Sequence, residues 1–264
     1  MGDALSLQGW GSFDAAKLNL ERAIEIARKA GNKFVEGRSL SSLGYTLFWK
    51  DETLDEGRLR LEESSRICSD IGDKVAEIRS RLYLGIYYNW RGEFNSAKEN
   101  LTRSLALAEE LGDNFNRLWA LSLFGWVLAT EGEYNGAIST LQRCLQLTKE
   151  WGGTGYSTPI SLTVLGWVYQ DLGNTELAIQ YHNEARSTSP SIVLIDLGMD
   201  YLAKMDYENA EKYFKEATDN LVLHRFGEGR LRSRILLGLG EVSLAKGDYP
   251  EALKYADQAL TKSK

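Results

Sequence analysis

The stretch "LLGLGEVSLAKGDYPEALKYADQAL", residues 236–260, contains the spacing that decides the fold. Gly240 follows an apolar residue, Gly247 stands seven places later, and Ala252 stands twelve places later. The apolar residues around them recur every three or four places, which is the period of a helix with one buried face. Gly247 separates two such segments and indicates that one helix ends there and the chain reverses. The stretch therefore predicts two antiparallel helices packed as a hairpin.

The same spacing recurs along the chain. The glycine that follows an apolar residue occurs at steps of 41, 40, 41, 32 and 42 residues: Gly44, Gly85, Gly125, Gly166, Gly198 and Gly240. An alanine stands twelve places after five of these glycines: Ala97, Ala137, Ala178, Ala210 and Ala252. We expect the small residues of the two helices to face each other where the helices cross. One hairpin of this size cannot bury its apolar face, so the hairpins must stack.

The repeats predict one all-α array, a right-handed superhelix of stacked antiparallel helix pairs, because strand signals are almost absent. We expect a single array over residues 1–264, divided as follows: a partial repeat 1–33 and full repeats at about 34–74, 75–114, 115–154, 155–187, 188–227 and 228–264. Pro159 and Pro190 predict new first helices, with Thr158 and Ser189 as N-caps. The step of 32 residues predicts a second helix about two turns shorter than the others, near "TELAIQYHNEARS" (175–187), and a change of curvature there.

Composition and charge exclude several classes of protein. The net charge is −6 and no cluster of Lys and Arg forms a basic stripe, so direct nucleic-acid binding is not expected. No apolar window is long enough to span a membrane, and the first residues lack the features of a signal peptide. Cys68 and Cys144 lie inside helical patterns, which favours free thiols and a reducing, cytoplasmic location. The array begins inside a repeat and ends on an apolar helix, so we expect it to be part of a larger protein with effector domains elsewhere.

The repeated pattern resembles the tetratricopeptide repeat: Leu-Gly, an aromatic residue three places later, Gly-Asp/Glu-Tyr/Phe, and then Ala. The resemblance covers essentially the whole chain, and residues 236–260 are the closest copy. The step of roughly 40 residues, longer than the common 34, looks like the variety in the sensor domains of MalT-like STAND regulators, and it also occurs in kinesin light chains and other adaptors. The resemblance implies a binding module: MalT-like sensors bind a small inducer, and related ones bind peptides or proteins.

Catalytic and cofactor sites are not predicted. The two histidines, His182 and His224, have no acidic residue at metal-ligand spacing on the same face. His182 falls where other repeats carry Leu101, Leu141 and Phe214, which favours a packed histidine. "WGGTGYSTP" (151–159) lacks the Gly-Lys-Ser/Thr of a phosphate loop. We therefore expect no enzyme, no metal and no cofactor.

An aromatic stripe is the candidate binding site. The residue after each crossing glycine is turned about 100° away from the hairpin partner, and its neighbours on that face lie three and four places away. Five of the seven tryptophans fall on this face. In tetratricopeptide superhelices this stripe lines the concave groove, so the resemblance implies a ligand-binding groove. The predicted groove residues are Arg38, Tyr45, Phe48, Trp49, Arg79, Tyr83, Asn89, Trp90, Trp119, Trp126, Trp167, Gln170 and Asp171.

Three interpretations of this stripe stay open. The rings bind a small molecule whose polar groups contact Asn, Gln, Asp and Arg, or they anchor the apolar side chains of a peptide or protein. In the third, they only pack neighbouring helices together, and the array is a spacer. Against packing alone, the stripe is mixed in polarity, and the last two repeats do not continue it. The carboxylate-clamp subclass of the family is not expected, since its Asn-bearing position holds Tyr45, Ile86, Trp126 and Trp167.

Overall fold

The computed structural model describes residues 13–152, 157–186, 190–221 and 228–262. Within these ranges the chain forms 13 α-helices and a short 3₁₀ helix (Asp51–Thr53), with no strand, which confirms the all-α fold class. The α-helices are α1 (Phe13–Lys29), α2 (Lys33–Phe48), α3 (Leu54–Ile71), α4 (Lys74–Trp90), α5 (Phe94–Leu111), α6 (Asn114–Glu131), α7 (Tyr134–Trp151), α8 (Ser157–Asp171), α9 (Thr175–Arg186), α10 (Pro190–Ala203), α11 (Tyr207–Leu221), α12 (Glu228–Ala245) and α13 (Tyr249–Lys262). Each predicted full repeat contains one helix pair.

The helices begin and end at the residues that the sequence marks. Asn32 and Asp73 cap α2 and α4, because their side chains accept hydrogen bonds from Val35 N and Ala76 N at 3.0 Å and 3.4 Å. The helix end predicted at Gly247 is confirmed, since this glycine adopts the left-handed conformation, and seven further glycines do the same: Gly31, Gly72, Gly92, Gly112, Gly132, Gly152 and Gly173. Met205 takes the equivalent place after α10, with a φ of 60°.

The chain divides into two compact units. Unit 1 comprises residues 1–136 and 146–157, and unit 2 comprises residues 137–145 and 158–264. Inside unit 1, consecutive helices from α1 to α6 pack on one another, and the first helices of successive pairs, α2, α4 and α6, also touch. Inside unit 2, consecutive helices from α9 to α13 pack in the same way, and the first helices α10 and α12 touch.

The crossing glycines allow the two helices of a hairpin to approach closely. A Cβ added to Gly57 would lie 3.0 Å from the Gly44 carbonyl oxygen, so these small residues face each other as predicted. The nearest atoms nevertheless differ from the prediction: opposite Gly44 they belong to Leu61, at 2.6 Å from an added Cβ. Opposite Gly85 lies Leu101, four places after the predicted Ala97, at 2.6 Å from an added Cβ. The glycine therefore accommodates a large side chain from the second helix, and the buried alanine lies one turn away.

The short repeat is visible in its second helix. Helix α9 has 12 residues, whereas α3, α5 and α7 have 18 each, in agreement with the predicted shortening. Helix α8 begins at Ser157, so Thr158 lies inside the helix and not at the predicted N-cap position. Ser189, the other predicted N-cap, lies outside the described residues, and α10 begins at Pro190. The change of curvature stays a prediction.

Candidate functional site

Seven aromatic rings of unit 1 form a continuous cluster along the first helices α2, α4 and α6. We call them the aromatic cluster: Tyr45, Phe48, Trp49, Tyr83, Trp90, Trp119 and Trp126. One row of ring contacts joins Tyr45 to Tyr83 at 5.0 Å between centroids and Tyr83 to Trp119 at 5.6 Å. These distances are typical of favourable aromatic pairs, so the stripe predicted from the sequence is one connected surface within unit 1.

A second row of ring contacts runs beside the first. It joins Phe48 to Trp90 at 5.1 Å, nearly stacked, and Trp90 to Trp126 at 6.5 Å, edge to face. Phe48 also lies 5.3 Å from Tyr83, which connects the two rows. The contacts cross from helix to helix because α2, α4 and α6 carry their rings on the same face, although the contacting rings differ in their distance from the crossing glycine.

The aromatic cluster has a buried floor and a half-exposed rim. Phe48 is only 2% exposed and Tyr83 is buried, whereas Trp49 and Trp90 are 36% and 38% exposed. Tyr45, Trp119 and Trp126 are partly buried. The floor residues are core residues of the repeat stack, so packing alone accounts for them. The two indoles of the rim leave a large apolar area in contact with solvent, which packing does not require.

Two arginines flank the cluster at its Tyr45 end. The Arg79 guanidinium lies 5.1 Å from the centre of the Tyr45 ring, within the range of a cation–π contact. Arg38 donates hydrogen bonds from its Nε and a terminal nitrogen to the Asp73 carboxylate, at 2.7 Å and 3.2 Å. These bonds raise the pKa of Arg38 above its usual value. The positive charges lie beside the rings, and Arg38 is held by Asp73.

Asn89 is buried beneath the rim. Its Nδ2 donates to Thr130 Oγ1 at 3.4 Å, and that hydroxyl donates to the Trp126 carbonyl at 2.9 Å. Asn89 Oδ1 has no hydrogen-bond partner among the described residues. The amide therefore connects the ends of α4 and α6, and a contact with a ligand needs a local movement.

The remaining three predicted residues belong to unit 2. Trp167 and Gln170 are partly buried on α8, and Asp171 is exposed at its end. Within the described part of the chain, Trp167 Nε1 is buried without a hydrogen-bond acceptor. That these three residues share a ligand with the aromatic cluster stays a prediction.

Two phenylalanines of the same surface were missed by the sequence analysis. Phe115 is half-exposed and its ring lies 6.2 Å from that of Trp119. Phe34 is half-exposed and lies 4.3 Å below the Arg38 guanidinium. Both stand ten places before a crossing glycine, one helical turn beyond the part of the face that we considered. Extending the face by four residues would have found them.

The described residues include two cysteines and no metal-ligand cluster. Among them, no group of three or more His, Cys, Asp or Glu side chains could hold a metal ion. Cys68 and Cys144 are buried free thiols, and burial raises the pKa of Cys68, which disfavours the nucleophilic thiolate. The helices of this part of the chain also lack the combination of length and apolar character needed to cross a membrane.

Comparisons with known proteins agree with the repeat architecture. A family profile described as tetratricopeptide repeat matches residues 77–150, 127–191 and 189–264. No curated protein matches the chain by sequence.

Solved structures of similar fold come from several kinds of protein. The apo form of RapI has a TM-score of 0.67 at 13% identity, over 96% of this chain and 89% of that one. A STAND protein with a tetratricopeptide repeat sensor from Pyrococcus horikoshii has a TM-score of 0.63 at 21% identity. The match covers 96% of this chain and 39% of that protein. BtubC (BKLC) from P. vanneervenii has a TM-score of 0.59 at 20% identity, over 92% and 91% of the two chains. At these identities the likeness concerns the fold.

Proposed function

The chain belongs to the tetratricopeptide repeat family, and from this premise we propose that it is a non-enzymatic sensor module that binds a small molecule on the aromatic cluster of unit 1. Repeat scaffolds of this kind are suited to binding. The observation that carries the proposal is the half-exposed pair Trp49 and Trp90 above a floor of buried rings. Flat apolar faces with a few polar groups beside them are the usual lining of a small-molecule site.

In the proposed site each residue has a distinct role. Trp49, Trp90 and Trp126 provide faces on which a flat ligand stacks, and Arg79 provides a positive charge for a polar substituent. Phe48 and Tyr83 support the indoles from below, because their rings are buried against those of the rim. Trp167, Gln170 and Asp171 stay predicted binding residues of unit 2, on α8.

The sensor role extends the likeness to the Pyrococcus protein, whose repeats are described as its sensor. That protein is longer than this chain, which spans 39% of it. We propose by analogy that the array reports ligand binding to an effector domain of a larger signalling protein in the cytoplasm.

Peptide or protein binding is the second candidate. The aromatic cluster extends over three successive first helices, from Tyr45 on α2 to Trp126 on α6. A strip of this length also offers several anchor points for the apolar side chains of an extended segment. The two candidates therefore differ in how many of the three helices contact the bound molecule.

Tryptophan emission and thermal stability test the proposal on the whole chain. A panel of sugars, nucleosides and amino acids is compared with a library of short aromatic peptides. For whichever class binds, Trp90→Ala should weaken binding by about 1–3 kcal/mol, the cost of a lost aromatic anchor. The matched control is Trp151→Ala, whose ring lies outside the aromatic cluster beneath Arg117, 4.7 Å from its guanidinium. This control should leave the affinity unchanged.

The outcomes separate the three interpretations. Small-molecule binding that depends on Trp90 supports the sensor. Peptide binding that depends on Trp90 and also on Trp119 of α6 supports the second candidate. If neither class binds and Trp90→Ala only lowers the melting temperature, the aromatic cluster is a packing device and the proposed function is wrong.

A further inference from the structure

The hairpin of α8 and α9 contains a histidine where three other hairpins contain an apolar side chain. Leu61, Leu101 and Phe214 fill the space opposite the crossing glycines Gly44, Gly85 and Gly198. Opposite Gly166 the same space is filled by the imidazole of His182, whose Nε2 lies 2.2 Å from a Cβ added to that glycine. An ionisable ring therefore occupies a core position of unit 2.

His182 joins three helices through both of its ring nitrogens. Its side chain, on α9, is fully buried. Nδ1 lies 2.5 Å from Asp200 Oδ2 on α10, and Nε2 lies 3.2 Å from the Thr163 carbonyl oxygen on α8. A carbonyl oxygen only accepts hydrogen bonds, so Nε2 carries a hydrogen. The short contact with Asp200 needs a second proton, located on Nδ1 or on the carboxyl group.

The charges around the ring favour this second proton. Asp196 lies one turn before Asp200 on α10 and is also buried, and Arg234 on α12 donates to its Oδ1 at 2.9 Å. Asp196 Oδ2 and Asp200 Oδ1 have no hydrogen-bond partner in the described part of the chain. With two carboxylates and one guanidinium, the site holds one uncompensated negative charge unless the pair of His182 and Asp200 keeps the proton. An isolated buried charge is costly.

The pKa directions agree with this geometry. Burial acts to lower the pKa of His182, but the hydrogen bond to Asp200 and the charges of Asp196 and Asp200 outweigh it, and the pKa is raised. Burial raises the pKa of Asp200, against the opposing effect of His182. Both directions mean that the folded protein binds a proton more firmly than the unfolded chain does.

We propose that the His182–Asp200 pair is a proton-dependent lock that ties α8, α9 and α10 together in unit 2. While the pair holds its proton, hydrogen bonds cross all three helices. Loss of the proton leaves a negative charge in the core beside Asp196, and this charge weakens the packing of α8, α9 and α10. The lock lies on α9, which at 12 residues is the shortest second helix in the described part of the chain.

The pH dependence follows from the raised pKa. Below the ordinary histidine pKa of about 6.5, folded and unfolded chains both hold the proton, and the lock contributes fully. Above this value the unfolded chain releases the proton while the folded pair keeps it, so stability falls as the pH rises through the folded pKa. In this window the unfolding equilibrium constant increases by up to about tenfold per pH unit.

Denaturant unfolding between pH 5.5 and pH 8.5 tests the lock on the full chain. The double variant H182L/D200N puts the leucine of other repeats at position 182 and removes both titrating groups. It should lose the alkaline increase in the unfolding constant. The control H224Q changes the only other histidine of the chain and should keep the wild-type slope. Equal slopes in the wild type and the double variant would overturn the proposal.

A direct titration of the wild type makes the test independent of how well the double variant folds. The imidazole carbon-bound proton signals are followed by NMR against pH, and H224Q identifies the signal of His182. We expect His182 to titrate above pH 6.5, the ordinary value. A midpoint at or below that value means that the pair of His182 and Asp200 releases its proton no later than an ordinary histidine does, and the lock does not exist.

Discussion

In unit 1 the stacked rings of the aromatic cluster belong to successive first helices, whereas in unit 2 each of two stacked pairs joins the two helices of its own hairpin. Phe48 and Trp90 connect α2 to α4 at 5.1 Å. In unit 2, Tyr169 stacks on Tyr181 at 5.5 Å, which connects α8 to α9, and Tyr201 stacks on Tyr213 at 5.3 Å, which connects α10 to α11. The same helix-pair scaffold therefore places its stacked rings either on successive first helices or on the two helices of one hairpin.

This difference determines which rings are available to bind a ligand. The rings between the two helices of a hairpin contact each other across the hairpin; Tyr213 is buried, and Tyr169, Tyr181 and Tyr201 are partly buried. Rings that follow the first helices support one another sideways and still leave an edge in solvent, as Trp49 and Trp90 do. Only the arrangement of unit 1 combines a rigid aromatic floor with exposed indoles, so the proposed site lies there.

The largest expected effect distinguishes the floor from the rim of the aromatic cluster. Phe48→Ala should lower the free energy of unfolding by about 3–5 kcal/mol, the usual cost of deleting a buried phenylalanine. Trp49→Ala, at the next residue, should cost at most about 2 kcal/mol because much of its ring stays in solvent. Urea unfolding measures both. Equal losses at the two positions would mean that the floor and the rim are one packed core.

A smaller effect tests the close approach of α2 and α3 beneath the cluster. A Cβ added to Gly57 would lie 3.1 Å from the Phe48 backbone nitrogen. Helices α2 and α3 cannot move apart without shifting the Phe48 ring. Gly57→Ala should therefore cost about 1–3 kcal/mol of stability, as overpacking does. Gly136→Ala is the matched control, since its nearest neighbour is the end of the Leu128 side chain at 3.4 Å. This variant should be neutral or stabilising by about 0.5–1 kcal/mol. A neutral Gly57→Ala would show that the hairpin tolerates a wider separation.

The smallest effect compares the two kinds of ring pair directly. Double-mutant cycles with leucine at Phe48 and Trp90, and at Tyr169 and Tyr181, should each give a coupling energy of about 0.5–1.5 kcal/mol. Ligand affinity, once a ligand is found, should respond to the first pair and not to the second. A response to the tyrosine pair instead would move the proposed site to unit 2.

The sequence was sufficient for most of the fold because its markers are local. A glycine that must adopt a positive φ, such as Gly72 or Gly112, ends a helix wherever it occurs, and its position does not depend on the rest of the structure. The partner opposite each crossing glycine was predicted less well. The alanine facing Gly85 was expected, but the projection of Leu101 from the second helix decides which atoms meet. That direction depends on the crossing geometry and not on the spacing.

The sequence predicts which helix face carries the candidate site, but it does not predict which side chains of that face are exposed. The positions relative to each crossing glycine select rings that contact one another in unit 1, yet the division between buried Phe48 and half-exposed Trp49 depends on the neighbouring helix that covers one and not the other. The partner of His182 was missed for a similar reason. Asp200 belongs to the next repeat, 18 residues later, and only stacking brings it within 2.5 Å.

The ring contacts between successive first helices also affect how cooperatively the repeats unfold. A repeat protein behaves approximately as a one-dimensional chain in which each repeat has its own stability and a coupling to its neighbours. The pairs Tyr45–Tyr83 and Tyr83–Trp119 add to that coupling, so a boundary between folded and unfolded repeats is unfavourable anywhere within them. We therefore expect the repeats that carry the aromatic cluster to unfold together as one block. Hydrogen exchange would then report a single protection level across α2, α4 and α6.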